Sequence, residues 1–196
     1  MSAASPLPVL VVSCSLNASS RSHRLACAAR TALRALDVDA ELIDLREWEL
    51  PFCDGGGSYE HPSVAPLAGR IERAAAVLVA APVYNYDLNA AAKNLVELTG
   101  SAWSEKPVGF LCTAGARSSY MSPIGLANSL MFDFRSLIIP RFVYAVKDDF
   151  EADGEPAEPL RARVEQLART AVALARALAR LQASNGTESE AKTGPD

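Results

Sequence analysis

Short apolar runs alternate along the chain with segments in which apolar residues recur at helical spacing. The valine-rich run Pro8–Ser13 predicts a strand that is buried on both faces. Residues 24–36 then carry apolar side chains three or four positions apart, which predicts a helix. The alternation continues with predicted strands at 40–44, 76–81, 107–112 and 137–145, and predicted helices at 67–75, 89–99, 122–135 and 159–183.

This order of elements predicts the fold class. Strands that alternate with helices and are buried on both faces form a parallel sheet with helices packed on each side. We therefore expect an α/β, three-layer, doubly wound sandwich. Five parallel strands in one domain favour the 2-1-3-4-5 strand order of the flavodoxin-like fold. Ligands of such sheets bind at the carboxyl ends of strands 1, 3 and 4, so the loops that follow those strands are the candidate site.

The length, composition and net charge of the chain limit the number of domains and the classes of function to consider. A chain of 196 residues suits one such domain, predicted here as residues 1–183. From residue 184 to 196 the chain is rich in Gly, Ser, Thr, Glu and Lys, which predicts a disordered tail. A net charge of -4 argues against nucleic acid or an anionic membrane as a partner, and no apolar run is long enough to span a bilayer.

The cysteines and histidines argue against a metal site. The four cysteines form no C-x-x-C pair and the chain has two histidines, so we expect neither a zinc site nor a disulfide framework. This pattern is typical of the reducing cytoplasm. His23 and His61 show no partner pattern, and we expect them on a helix surface and in a loop. We expect Cys14 and Cys112 to be small buried hydrophobic residues rather than redox thiols.

The loop after the first strand has the features of a phosphate-binding site. Residues 14–22 read Cys-Ser-Leu-Asn-Ala-Ser-Ser-Arg-Ser and lead into a helix, whose first N–H groups attract anions. The glycine pattern of a dinucleotide site is absent, so the loop suits one terminal phosphate. The serines alone are equally compatible with simple helix capping, and their position after strand 1 favours phosphate. The predicted binding residues are Ser15, Asn17, Ser20, Arg21 and Ser22.

The loop after the third strand carries two tyrosines. It reads Pro-Val-Tyr-Asn-Tyr, and its aromatic side chains and backbone donors are suited to the edge of a flat ring system. Taken alone, the loop is as well explained as a surface turn. The candidate residues here are Pro82, Val83, Tyr84, Asn85 and Tyr86.

Together these two loops resemble those of the NAD(P)H-dependent FMN reductase family. Residues 14–25 are similar to the family's phosphate loop, which typically has Gly-Ser-x-Arg followed by spaced hydroxyl residues. Residues 82–94 match its Pro-x-Tyr-Asn pattern and the Lys-Asn pair that follows. The similarity extends from about Val9 to Asp148. Two positions depart from the pattern, because Cys14 stands where glycine is usual and Asn17 where arginine is common.

The resemblance also assigns a role to the loop after strand 4. In the family, a loop of small residues borders the pyrimidine end of the flavin, and small residues allow a ligand to approach the backbone closely. Backbone N–H groups there stabilise negative charge on the reduced flavin. The positions that this implies are Thr113, Ala114, Gly115 and Ser118.

The activity implied by the resemblance is that of an NAD(P)H-dependent oxidoreductase. It would use FMN to pass electrons from NADPH or NADH to free flavin, a quinone or another small acceptor. Hydride transfer depends on stacking and alignment more than on an acid or base, so we expect no catalytic side chain. Two alternatives stay open: a flavodoxin-like electron carrier without NAD(P)H turnover of its own, and a flavin-binding regulatory module.

The resemblance further implies an oligomer. Family members are usually dimers or tetramers with the flavin near a subunit interface. A homodimer or homotetramer is therefore expected here, with apolar interface surface supplied by residues 119–135.

Overall fold

The computed structural model describes residues 7–191, with the side chains of residues 7–184. The strands are β1 (Pro8–Ser13), β2 (Asp39–Asp44), β3 (Ala76–Tyr84), β4 (Asp87–Leu88), β5 (Pro107–Thr113), β6 (Leu137–Ile138) and β7 (Val143–Ala145). The helices are α1 (Arg21–Arg34), α2 (Val64–Arg73), α3 (Ala90–Thr99), α4 (Ile124–Phe134) and α5 (Glu158–Ala191). None of these helices combines the length and apolar character needed to cross a bilayer.

The sheet has the predicted flavodoxin-like class but differs from the prediction in two places. Its order is β2-β1-β3-β5-β6, with parallel pairing throughout this path. The short β4 folds back antiparallel on β3, and β7 also pairs with β5. The predicted strand 137–145 is thus wrong as one element, because Pro140 lacks an N–H donor and Arg141 is left-handed (φ 61°). With β4 set aside and β6 and β7 taken together, the order is 2-1-3-4-5.

Two hydrophobic clusters explain why the strands are apolar on both faces. Leu10 and Val12 of β1 pack into a cluster with helices α2, α3 and α4. Val9 and Val11 of the same strand face the opposite cluster, with α1 and α5. Successive side chains of a strand point to opposite faces, so a strand between two helical layers must be apolar at every position. The three predicted layers are confirmed.

Three helices have an end that differs from the predicted one by three residues or more. Helix α1 begins at Arg21 because Ser20 caps it, three residues before the predicted start. Helix α2 begins at Val64, since a proline such as Pro66 is tolerated in the first turn. Helix α5 continues to Ala191, past the predicted domain end at residue 183. Residues 192–196 of the predicted tail lie outside the described residues.

Candidate functional site

A cleft opens where three parallel strands end. Because β1, β3 and β5 are neighbours in the sheet and run in the same direction, the loops after them meet at one edge. The cleft has a volume of about 210 Å³. It is lined by Ser15, Asn17, Ser19, Ser20, Arg21, Pro82, Val83, Tyr84, Thr113, Ala114 and Gly115. The structure therefore brings the three predicted loops together, and it adds Ser19, which the sequence reasoning missed.

The first loop is ordered by its own polar side chains. Ser15 Oγ accepts a hydrogen bond from the Asn17 N–H at 3.3 Å. Asn17 Oδ1 in turn accepts from the Ser19 N–H at 2.9 Å, which is the pattern of an Asx turn. These bonds hold the loop beside the cleft before any ligand arrives.

The start of α1 both caps the helix and borders the cleft. Ser20 Oγ accepts from the His23 N–H at 3.2 Å, as an N-cap does. Helix geometry leaves the N–H groups of Arg21 and Ser22 without an intrahelical acceptor. The Ser22 hydroxyl is fully buried, 2.8 Å from Ser20 Oγ, so it orients Ser20 and does not line the cleft. The capping and phosphate interpretations of these serines are therefore compatible.

Positive charge at the helix start comes from one exposed arginine. Arg21 lines the cleft and has no ion-pair partner among the described side chains. The next arginine, Arg24, does not line the cleft and is paired with Glu155. No Asp or Glu lines the cleft within residues 7–184. Hydroxyls, an amide, a helix N-terminus and a single cation form a donor set that fits a phosphate group.

The second loop is a tight hairpin. Tyr84 pairs with Asp87, so Asn85 and Tyr86 are the two turn residues, with φ values of 51° and 64°. Two consecutive positive φ values define a type I′ turn, the form that matches the twist of a hairpin. The turn places both tyrosines in solvent at the rim of the cleft. Tyr86 Oη lies 3.4 Å from Ser118 Oγ and so bridges to the third loop.

The third loop offers fewer backbone donors than expected. The Ala114 N–H already donates to the Ala145 carbonyl at 2.9 Å, so this group is not free to donate to a ligand, although Ala114 still lines the cleft. Gly115 follows, and its N–H has no acceptor within the described residues. A Cβ built on Gly115 would meet no protein atom within 4 Å. The space beside the Gly115 backbone is therefore open to a ligand, as the third loop of a flavin site requires.

These features agree with a family-level similarity. The sequence model for the NADPH-dependent FMN reductases matches residues 7–166. The chain belongs to this family. The resemblance seen in the two loops is thereby confirmed, and with it the class of enzyme, an NAD(P)H-dependent oxidoreductase with FMN as cofactor.

Individual relatives agree with the family. The chain is 28% identical over 173 residues to the FMN reductase (NADPH) of Pseudomonas aeruginosa, covering 87% of this chain and 93% of the relative. It is 29% identical over 136 residues to the NAD(P)H-dependent FAD/FMN reductase of Geobacillus thermodenitrificans, covering 67% and 73%. The fold is similar to that of the flavoenzyme NAD(P)H:(acceptor) oxidoreductase FerB of Paracoccus denitrificans, with a TM-score of 0.71, 22% identity, and coverage of 86% and 97%.

A buried asparagine ties the first two loops of this family member together. Asn89 Nδ2 donates to the Cys14 carbonyl at 2.7 Å, and the Asn89 N–H donates to the Pro82 carbonyl at 3.1 Å. Among the buried side-chain nitrogen and oxygen atoms of the described residues, Asn89 Oδ1 is the one without a hydrogen-bond partner. The sequence reasoning missed this residue, although asparagine directly before a helix is a capping signal.

The cysteines at the strand ends are fully buried, as predicted. Burial raises the pKa of the Cys14 thiol to about 12, helped by the nearby Asp44 carboxylate. Burial, followed by the charge of Cys14, also raises the pKa of Cys112 far above its ordinary value. Both side chains are fully buried and pack in the core next to the cleft. They fill space in the core beneath the cleft.

Proposed function

We propose that this cleft binds FMN with its phosphate at the start of α1 and its ring against the second and third loops. The proposal rests on one observation. The start of α1, which is suited to bind an anion, and the open backbone at Gly115 lie at the same edge of the sheet. Ser15, Asn17, Ser19 and Ser20 line the phosphate end. Bound FMN would take electrons from NADPH or NADH and pass them to a small acceptor such as free flavin or a quinone.

The residues of the cleft bind and orient rather than move protons. Its lining holds no Asp, Glu, His or Lys among the described side chains. Tyr84 and Gly115 border the cleft from opposite loops, and Arg21 supplies charge at the phosphate end. Positioned binding of two flat reactants is the main requirement for electron transfer between them. This composition supports a reductase without a catalytic acid or base.

An anaerobic absorbance titration tests this function. The protein is saturated with FMN and its spectrum is recorded before and after NADPH, and in parallel after NADH. We expect bleaching of the bound flavin at a rate that sustains turnover. Flavin that binds but stays oxidised would instead support the electron carrier, and absence of FMN binding would refute the proposal.

A double substitution tests the position of the site. Tyr84→Ala with Asn85→Ala removes the aromatic rim and the turn residue, so we expect weaker FMN retention on gel filtration. Tyr59→Ala is the matched control, because Tyr59 is also exposed but lies in the short 3-10 helix Gly57–Glu60, outside the cleft. Unchanged retention in the double variant would place the flavin elsewhere.

A second copy of the chain is proposed to complete the site. A volume of about 210 Å³ is below the roughly 300–1,000 Å³ of pockets that enclose ligands of this size. Exposed apolar side chains cluster on and before α4, and large exposed patches mark interfaces. They are Tyr120, Met121, Ile124, Met131 and Phe132. Sedimentation should show a homodimer or homotetramer, and a monomer at working concentration would contradict this proposal.

The cysteines support a cytoplasmic location for the protein. Cys14, Cys27, Cys53 and Cys112 are all free thiols in the structure. Free thiols persist in a reducing compartment. Targeting of a fluorescent fusion in the source cell would test this location.

A further inference from the structure

A histidine, a cysteine and an aspartate form a contact chain outside the flavin cleft. His23 and Cys27 lie one turn apart on α1, and Cys27 Sγ is 3.5 Å from His23 Nε2. The other ring nitrogen, Nδ1, lies 3.2 Å from Asp44 Oδ2 at the end of β2. It also lies 3.1 Å from the buried Ser13 hydroxyl at the end of β1. The expectation that His23 is a surface residue without partners is therefore wrong, because two strand ends meet it.

The carboxylate orients the imidazole. Asp44 is buried and is held by Arg46, whose Nε lies 2.9 Å from each carboxylate oxygen. Burial alone would raise the pKa of Asp44, but the hydrogen bonds and charge of Arg46, followed by the charge of His23, lower it. The ionised carboxylate, 3.2 Å from Nδ1, favours the proton on that ring nitrogen. The lone pair of Nε2 then faces the Cys27 thiol, which is the arrangement of a base beside a nucleophile.

We propose that Cys27, His23 and Asp44 form a thiol-modification site that reacts with small disulfides. The Cys27 Sγ–H proton moves to His23 Nε2 while the sulfur attacks one sulfur atom of the disulfide. A new S–S bond forms to Cys27 and the S–S bond of the reagent breaks. The departing thiolate takes the proton back from Nε2, so the products are a mixed disulfide on Cys27 and one free thiol.

The surroundings of Cys27 allow such a molecule to enter. Cys27 is half-buried and lines two cavities, of about 380 and 520 Å³. The first is bordered by Arg24 and Glu155, and the second continues between α1 and α5 past Arg161 and Glu165. Charges of both signs around apolar walls suit a zwitterionic disulfide, for which glutathione disulfide is a suitable probe.

The other cysteines provide controls within the same molecule. Cys53 is half-buried like Cys27, but its sulfur contacts the Tyr59 hydroxyl at 3.5 Å, and no histidine of the described structure forms a hydrogen bond with it. Cys14 and Cys112 are fully buried and report on unfolding if they react. A difference in rate between Cys27 and Cys53 in one folded sample thus measures what His23 and Asp44 contribute.

The experiment treats the reduced full-length protein, without flavin, with glutathione disulfide near pH 7. Mass spectrometry of peptides then follows the mixed disulfide at each cysteine over time. We expect Cys27 to react about tenfold faster than Cys53, or more, because His23 Nε2 lies within reach of the thiol and can take its proton as the sulfur attacks. His23→Gln should remove this advantage and leave Cys53 unchanged. His61→Gln is the matched control and should leave both rates unchanged.

A positioning role for Asp44 has its own readout. In Asp44→Asn the pH profile of Cys27 alkylation by iodoacetamide should move to higher pH, whereas that of Cys53 should not. In the unsubstituted protein, equal rates at Cys27 and Cys53 would overturn the proposal, and this comparison needs no variant to fold. An undiminished Cys27 rate in a His23→Gln protein whose Cys14 stays protected would overturn it as well. Both results are obtained without FMN, so they are independent of the proposed reductase activity.

Discussion

Replacement of Gly115 by valine should weaken FMN binding and leave the fold intact. Gly115 lies directly after Ala114, the residue that anchors the third loop to β7. Its φ is not in the left-handed region, and an added Cβ would meet no protein atom within 4 Å. The valine Cβ would therefore occupy space that the protein leaves open beside the cleft, where we place the flavin.

The expected effects of Gly115→Val on stability and on FMN binding differ in size. A substitution that touches no neighbouring atom changes the free energy of unfolding by about 0.5 kcal/mol or less. For a chain of this length that is a change of about 1–2 °C in Tm. Inserting a side chain into space that a ligand needs resembles adding methylene groups to a well-packed core, which costs about 1–3 kcal/mol. We expect the free energy of FMN binding to weaken by a similar amount. The Kd for FMN of Gly115→Val should then rise about 5- to 140-fold.

Two measurements on the same preparations separate the effects. The Kd is taken from the quenching of FMN fluorescence, and the Tm from thermal unfolding of the flavin-free protein. Gly57→Val is the control, because Gly57 also has no atom within 4 Å of an added Cβ but lies outside the cleft. An unchanged Kd would refute close approach of FMN to Gly115. A fall in Tm of more than about 5 °C would refute the open space on which the reasoning rests.

Three further predictions concern stability. Gly109→Ala should destabilise the protein by about 1–3 kcal/mol in urea unfolding, because the new Cβ would lie 2.8 Å from Leu78 Cδ2 and 3.0 Å from Leu167 Cδ1. Tyr86→Gly should raise Tm, since it removes about 1–2 kcal/mol of left-handed strain at φ 64°. The folded-state pKa of Asp44 lies below its ordinary value, so its stabilising contribution is present above about pH 4 and is lost as the pH falls through the folded pKa. The urea midpoint of the unsubstituted protein should thus fall more between about pH 5 and pH 3 than that of Asp44→Asn.

Opposite results would identify which premise is wrong. An unchanged unfolding midpoint in Gly109→Ala would mean that the two leucines repack without cost. A lower Tm in Tyr86→Gly would mean that the contact of Tyr86 with Ser118 outweighs the strain of the turn. Parallel pH profiles for Asp44→Asn and the unsubstituted protein would mean that Asp44 titrates alike in the folded and unfolded states.

The layered fold could be predicted from the sequence because its signals are local. The buried strands β1, β3 and β5 are continuous apolar runs, and the helices between them have regular apolar spacing. Those patterns record burial on both faces of a sheet and on one face of a helix. The loops after the strands could then be ranked as site candidates, since parallel strands bring their carboxyl ends to one edge.

Local sequence patterns did not predict the hairpin of β3 and β4 or the break in the last strand. Asn85 and Tyr86 form a type I′ turn although the second position usually favours glycine, because the pairing of β4 with β3 imposes the turn. The interruption between β6 and β7 depends on a left-handed Arg141, a residue type with no such preference. In both cases the packing of distant segments overrode the preference of the residue itself.

By itself, then, the sequence determined the fold class, the family and the three loops of the site, because each is encoded by residues close together in the chain. Only the tertiary structure decided which groups within those loops remain free to bind. The Ala114 N–H donates to a carbonyl of β7, the Ser22 side chain is buried, and His23 contacts the ends of β1 and β2. The contacts of Ala114 and His23 join residues that are distant along the chain, and the burial of Ser22 depends on how α1 packs in the fold, so no local pattern of polar and apolar positions records them.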